Sequence, residues 1–402
     1  MKAVINPSKP RGVITAPPSK SDSHRLLIAA GLAKGRSVIK NIDISADIEA
    51  SLRCLKALGA DVSFKNNTAY VTGADIRFAE SAALDCGECG TSLRFFLPLC
   101  LVSGSEMRLT GSERLLSRPM TVYEDICRER NLAYENSGSG IKVRGPLAPG
   151  KFAVRGDISS QFVSGLLYAL PLIGGKSTVE IIPPFESRPY VDMTLAVLKK
   201  AGIEIMQTDA FTFEIDGPHE YKPLCETAEG DWSNAAFIYA LKYLGFDVDV
   251  SGVDPGSLQG DKICVDLFEK LSLGYTEADL SDCPDLAPVL FTFAGMNKGA
   301  RFTGTRRLEI KESDRVAAMA CELKKAGIEI EQGENEVIIH PEGFHAPSEA
   351  LCGHNDHRIV MSLAVMCAVT GGEIDGAQAV AKSWPAFFEV LKSAGVEIQY
   401  DT

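Results

Sequence analysis

Apolar residues at helical spacing run up to a glycine or asparagine, and alternation of apolar and polar residues begins directly after it. The octad Leu198-Lys199-Lys200-Ala201-Gly202-Ile203-Glu204-Ile205 returns as Leu323-Lys324-Lys325-Ala326-Gly327-Ile328-Glu329-Ile330. It recurs as Leu391-Lys392-Ser393-Ala394-Gly395-Val396-Glu397-Ile398 and as Leu55-Lys56-Ala57-Leu58-Gly59-Ala60-Asp61-Val62. Looser copies pass through Asn131 and Gly274. The anchors 59, 131, 202, 274, 327 and 395 lie 72, 71, 72, 53 and 68 residues apart, which makes six units with one shortened. Each copy predicts a helix stopped at a left-handed position and followed by a strand. Val62 and Phe64, Ile203 and Ile205, and Ile328 and Ile330 carry the alternation. Polar turns at Lys65–Thr68, Ser137–Gly140 and Gly333–Asn335 then lead into second strands that end at Gly73, Gly145, Gly217 and Gly343, the pattern of β-hairpins.

A second helix opens each unit. Its starts are expected near Ser19-Lys20-Ser21, Cys89-Gly90-Thr91, Ser159-Ser160-Gln161, Asp231-Trp232-Ser233, Pro284-Asp285 and Asn355-Asp356-His357. The repeating unit is therefore βαβαββ, and the fold class is α/β. The last copy ends at Tyr400-Asp401-Thr402 with one strand of its hairpin. The segment Lys2 to Asn6 is expected to supply the other, which places both termini in one domain.

Composition narrows the class. The 402 residues are 45% hydrophobic and 23% charged, an ordinary globular balance with length enough for two cores. No apolar run approaches the roughly 20 residues of a membrane span, and Met1-Lys2-Ala3-Val4-Ile5-Asn6 shows no signal core, so a cytoplasmic protein is expected. Eleven scattered cysteines, among them Cys100, Cys321 and Cys367 in apolar stretches, predict buried reduced thiols. A net charge of −12 argues against nucleic acid as a partner.

An acidic chain that binds anions must gather its cations locally, and here they gather at helix starts. Lys20, His24 and Arg25 lie in the first, Arg94 in the second, and His354, His357 and Arg358 in the sixth. Neighbouring loops add Arg118, Ser187-Arg188-Pro189-Tyr190, Lys311-Glu312-Ser313-Asp314-Arg315 and Lys382. Helix N-termini attract anions through unpaired N–H groups and the dipole. Capping accounts for the Ser, Asp and Asn residues, but not for cations, which oppose the dipole there.

Pro17-Pro18-Ser19-Lys20-Ser21-Asp22-Ser23-His24-Arg25, Gly90-Thr91-Ser92-Leu93-Arg94, Lys311-Glu312-Ser313-Asp314-Arg315 and Asn355-Asp356-His357-Arg358 closely resemble the signature stretches of the 5-enolpyruvylshikimate-3-phosphate synthase family, over roughly residues 5 to 395. The resemblance implies two domains of three βαβαββ units each, joined by a two-stranded hinge and closing over ligands in a cleft. They would comprise residues 1–19 plus 229–402, and 20–228. It implies transfer of the carboxyvinyl group of phosphoenolpyruvate to the 5-hydroxyl of shikimate 3-phosphate, by addition and elimination, without cofactor or metal and as a monomer. The shikimate 3-phosphate site would comprise Lys20, Ser21, Arg25, Ser159, Ser160, Gln161, Ser187, Tyr190, Asp285 and Lys311. The phosphoenolpyruvate site would comprise Lys20, Gly90, Arg118, Gln161, Arg315, His357, Arg358 and Lys382, with Arg94 behind the Gly90 loop. Asp285 and Glu312 are the candidates for acid and base, with Lys20 and His357 assisting; their bland readings are a helix cap and an ion-pair partner. Gly90 is expected to leave room for glyphosate. Arg307 stands where many members have an amide or a variable residue.

Other readings carry less. The lone Cys86-Gly87-Glu88-Cys89 pair, and Cys352 with His354 and His357, offer metal ligands but no four-ligand set. Phosphate-loop motifs of kinases and dehydrogenases are absent. A UDP-N-acetylglucosamine enolpyruvyl transferase would carry Lys-Asn in place of Lys20-Ser21, and a cysteine near Arg118 where Arg114-Leu115-Leu116-Ser117 has none. A non-catalytic repeat scaffold would not need paired cations and carboxylates in its loops.

Overall fold

The computed structural model describes residues 1–401. Five four-stranded sheets share one strand order. In the second unit, Ala82–Asp85 runs parallel to Glu106–Thr110, which pairs antiparallel with Ile141–Arg144, and Ala133–Asn136 forms the edge. That is the βαβαββ pattern: a helix joins the parallel pair and a hairpin closes the sheet. The strands alternate buried and exposed, so one sheet face packs on helices and the other meets water.

The unit-opening helices are the inner layer. Leu26 to Ala30 are fully buried in the helix Lys20–Leu32, and Ile359 to Ala368 are buried in the helix His357–Thr370. A helix apolar all round is one enclosed all round. Gly73, Gly145 and Gly217 end equivalent hairpins for one shared reason: an added Cβ would lie 2.3, 2.1 and 2.2 Å from the carbonyl oxygens of Ala33, Leu101 and Ile173, at the ends of those helices.

The helix stops at Gly59, Asn131, Gly202, Gly327 and Gly395 all take left-handed φ values, as expected. Gly274 does not; its φ is 177°, and the strand after it, Thr276–Asp279, pairs parallel with Ala300–Thr303. That strand opens the fifth unit. Among the described residues the shortened fourth unit consequently has no hairpin, and only Arg11–Thr15 and Asp247–Ser251 pair in it. Two units are completed by distant segments. Lys2–Ile5 lies between Gly372–Asp375 and Ile398–Asp401, antiparallel to both, as the missing hairpin strand required. Cys225–Thr227 supplies the opening strand of the first unit, parallel to Arg36–Lys40. In the third unit pairing begins at Met206, so Ile203 and Ile205 pack without joining the ladder.

The chain divides into two compact bodies, Pro18–Glu229 and Met1–Pro17 with the stretch from Gly230 onward, each with its own apolar core. Cys100 and Cys367 are buried in these cores, but Cys321 is exposed, because it lies on the outer face of the helix Arg315–Lys324.

Both ends of the first body meet at Asp22. The Ser19 amide donates to the Glu229 carbonyl at 2.7 Å, and the Glu229 amide donates to Asp22 Oδ2 at 3.1 Å. Burial pushes the Asp22 carboxyl up to about 6, against the hydrogen bond from Glu229. The folded state therefore holds this proton more tightly than the unfolded chain. The resulting stability is present below pH 4 and is lost as pH rises to about 6. Asp22→Asn is expected to be near neutral at pH 4 and to stabilise by on the order of 2 kcal/mol at pH 8, a few degrees in a thermal melt. An unchanged difference across that range would refute it.

Candidate active site

In the first body, three helix starts present the expected residues. Lys20 is the first residue of its helix, and the Ser19 hydroxyl caps it by accepting from the Asp22 amide. The Lys20 ammonium lies 2.9 Å from Asp47 Oδ2, a counter-charge sequence reasoning missed. Arg25 is 3% exposed and engages the protein at each nitrogen: its Nε donates to Thr194, Nη1 to the Ser21 carbonyl and Nη2 to the Tyr190 carbonyl. It stacks near the Phe95 and Tyr190 rings. Thr194 also lies 2.8 Å from the Ser164 hydroxyl, so Arg25 ties together the helices that carry Lys20 and Ser21, Ser160 and Gln161, and Tyr190. Ser187 precedes the last of these at φ 56°, a strained backbone for a serine.

Gly90 begins its helix, with the Cys89 sulfur accepting from the Ser92 amide. A Cβ on Gly90 would lie 2.8 Å from Arg118 Nη1 and 3.1 Å from Arg94 Nη1, so both guanidiniums press against this glycine. Arg94 donates to Gln161 Oε1 at 2.9 Å, and Gln161 Nε2 donates to Thr91 at 2.9 Å. The Ser159 hydroxyl accepts from the Gln161 amide. Arg118, Arg94, Gly90 and Gln161 thus form one connected surface.

His24, Asp47 and Cys89 bring possible metal-ligating atoms within 4.8 Å of one another. Asp47 is already paired with Lys20, and His24 Nδ1 lies 2.7 Å from the Ser51 hydroxyl. Burial, then Lys20 and Arg25, push His24 well below its ordinary value, so it is neutral. The cluster reads as a polar brace beneath the Lys20 and Gly90 helix starts.

In the second body, one guanidinium organises the site. Arg315 is 1% exposed and donates to three carboxylates: Nη1 to Asp285 at 2.8 Å, Nη2 to Glu312 at 2.9 Å and Nε to Asp356 at 3.0 Å. Asp285 also lies 3.1 Å from Arg358 Nη2 and 3.4 Å from Lys311 Nζ. Burial would raise the Asp285 carboxyl, but Arg358, Lys311 and Arg315 outweigh it and hold the group well below the usual carboxylate range. Burial lowers Lys311, partly offset by Asp285.

Asp285 is no helix cap. A 3-10 turn, Pro284–Leu286, leads into the helix Ala287–Gly295, and the carboxylate turns to the cations instead. Glu312 does fill an ion pair, with a partner drawn from the expected site. Asp356, 0% exposed, caps the helix His357–Thr370 by accepting from the Arg358 amide, and places His357 and Arg358 at its start. Lys382 closes a 3-10 segment, and its Nζ donates to the Asn355 carbonyl at 2.5 Å. Arg307, buried and donating to the Ser281 carbonyl, adds a cation beside Lys311. Asp47 lies outside every motif and is recognisable only by what it touches, while Asp356 and Thr91 stand inside the quoted motifs but were given no site role there.

The family model described as EPSP synthase (3-phosphoshikimate 1-carboxyvinyltransferase) matches residues 4–279 and 271–391. A 3-phosphoshikimate 1-carboxyvinyltransferase of Clostridium kluyveri is 38% identical, over 98% of this chain and 97% of its own length. One of Brachyspira hyodysenteriae is also 38% identical, over 99% and 100%. An EPSP synthase structure from Acinetobacter baumannii superposes with a TM-score of 0.80 at 22% identity, covering 99% of this chain and 100% of that one. The enolpyruvyl transferase NikO from Streptomyces tendae gives 0.79 at 15% identity, covering 100% and 98%, and with it shares the fold. The repeated α/β architecture and these full-length matches together place the chain in the EPSP synthase family.

Proposed function

We propose that the residues described above carry this enzyme's reaction, the transfer of the carboxyvinyl group of phosphoenolpyruvate to the 5-hydroxyl of shikimate 3-phosphate with release of phosphate. The supporting observation is the Arg315 cluster: one buried guanidinium shared by Asp285 and Glu312, with Arg358 and Lys311 on the same carboxylate. In our reading Lys20, Ser21, Arg25, Ser159, Ser160, Gln161, Ser187, Tyr190, Asp285 and Lys311 hold shikimate 3-phosphate. Lys20, Gly90, Arg118, Gln161, Arg315, His357, Arg358 and Lys382 hold phosphoenolpyruvate. Both substrates are multiply anionic, which matches guanidinium and ammonium donors on an otherwise acidic chain.

The reaction needs a base for the 5-hydroxyl proton and an acid for the methylene carbon of phosphoenolpyruvate. Among its protein partners Asp285 is a weak base, because three cations stabilise its charge. The carboxylate and phosphate of phosphoenolpyruvate compete for the same N–H donors. As they take Arg315 and Arg358, Asp285 regains affinity for a proton when it needs one. We assign the base to Asp285 and the acid to Glu312, with Lys20 and His357 stabilising developing charge. Elimination then breaks the C–O bond to phosphate while the methyl group returns its proton to the Glu312 carboxylate, which restores the vinyl group on the product.

Phosphate release from phosphoenolpyruvate tests the reading, with shikimate 3-phosphate in one reaction, UDP-N-acetylglucosamine in another and a metal chelator in both. Release with shikimate 3-phosphate alone, abolished by Glu312→Ala, is expected. Release with the nucleotide sugar alone would overturn the acceptor. Loss of activity on chelation would overturn the metal-free chemistry. Gly90→Ala is expected to raise KM for phosphoenolpyruvate about tenfold, by pushing Arg118 Nη1 off its position, with little change in kcat. Glyphosate inhibition is expected to weaken in parallel, and an unchanged inhibition constant would remove glyphosate from this pocket.

A further inference from the structure

The helix Arg315–Lys324 grips the loop before His357 at two points, and only the first belongs to the cluster described above. Arg315 holds Asp356. Seven residues on, two turns along the same helix face and about 10 Å away, comes Glu322. Its carboxylate is 1% exposed and fully engaged. Oε1 lies 2.7 Å from His354 Nε2, while Oε2 accepts the Cys352 amide at 2.8 Å and the Lys325 ammonium at 2.8 Å. Lys325 in turn donates to the Ala350 carbonyl at 3.0 Å. Burial alone would raise the Glu322 carboxyl, but the hydrogen bonds from His354, Lys325 and Cys352 bring it down to about 2.

What this carboxylate holds is a strained turn. His354 and Asn355 are consecutive non-glycine residues at φ 48° and 51°. Such left-handed conformations are unfavourable for residues with a Cβ and persist only where surrounding contacts determine them. The turn fixes two things. The Asn355 carbonyl receives Lys382 Nζ at 2.5 Å, and the next residue, Asp356, begins the helix that presents His357 and Arg358.

We propose that Glu322 and His354 are positioning residues for phosphoenolpyruvate, a clamp that sets the left-handed turn and through it Lys382 and Arg358. The inference rests on the reading that Arg315, Arg358 and Lys382 bind phosphoenolpyruvate. Neither clamp residue touches the substrate in this account; they act by fixing where the cations stand. Misplacing binding groups by about an ångström from outside the site costs up to about 100-fold.

Steady-state kinetics of Glu322→Gln, His354→Leu, His354→Gln and Arg358→Ala, with each substrate varied in turn, test it. Glu322→Gln and His354→Leu are expected to raise KM for phosphoenolpyruvate about tenfold, while KM for shikimate 3-phosphate moves less than about twofold. His354→Gln keeps an N–H donor toward Glu322 and is expected to recover most of the loss. His354 is 30% exposed, so its variants are expected to melt as the parent does even if Glu322→Gln is unstable. A fall in kcat with both KM values unchanged would make the pair merely structural, and parent-like kinetics of His354→Leu would remove the clamp. If Arg358→Ala raises KM for phosphoenolpyruvate and the clamp variants do not, the clamp alone fails. If Arg358→Ala leaves that KM unchanged, the underlying site assignment fails.

Discussion

Asp285→Asn is expected to lower kcat by about 10²–10⁴, the usual contribution of a positioned general base, while KM for phosphoenolpyruvate changes only a few-fold. The substitution preserves shape and removes the charge shared by Arg315, Arg358 and Lys311. The pH dependence distinguishes a base from a mere counter-ion. In the free enzyme the carboxyl lies well below its ordinary range, so it is ionised at any pH at which the protein is assayed. On the proposed assignment, bound phosphoenolpyruvate would share these cations and so raise the carboxyl's proton affinity. The acid limb of kcat, which reports the ternary complex, is therefore expected at higher pH than any limb Asp285 gives in kcat/KM. The asparagine enzyme is expected to lose that limb. Activity within threefold of the parent would transfer the role of base to another group.

Arg315→Met is expected to cost about 3–5 kcal/mol of stability at neutral pH and to abolish phosphoenolpyruvate binding. A buried ion cluster contributes little net stability as a whole, yet removing one partner leaves the others charged and uncompensated. Here the partners are Asp356, fully buried, with Asp285 and Glu312 mostly so. The sign of the pH effect follows from Asp285 and Asp356, both of which are lowered in the parent. Carboxyls lowered by folding stabilise above their unfolded value, near pH 4, and that contribution is lost as pH falls. Without Arg315 it is absent, so the gap between parent and variant is expected to be full at pH 7.5 and to narrow only as pH falls below about 4 in urea unfolding. A constant gap would assign the loss to packing.

Much of the fold was legible because it repeats. Four near-identical octads exposed the period, and the residues after each stop alternated as hairpin strands do. The helix starts at Lys20, Gly90, Ser160, Trp232 and His357 lay where capping residues and the apolar run placed them. The fifth start did not resolve from sequence, since a proline and an aspartate before an apolar run fit a cap as well as a 3-10 turn. Cys321 was misread for a similar reason: one helical position separates the inner from the outer face.

The sequence by itself determined the local units, their number and the cations at their starts, because helix periodicity, strand alternation and helix stops are properties of neighbouring residues. It also led to the expectation that Lys2 to Asn6 completes a distant hairpin, and Lys2–Ile5 does so. Only the tertiary structure decided that Cys225–Thr227 opens the first sheet and that the fourth unit has no hairpin. The polar partners were decided the same way: Asp47 for Lys20, Asp356 for Arg315 and Glu322 for His354. These partners lie 27, 41 and 32 residues apart in the chain. Their choice rests on which groups burial leaves without water, and that depends on the packing of whole units rather than on any local pattern.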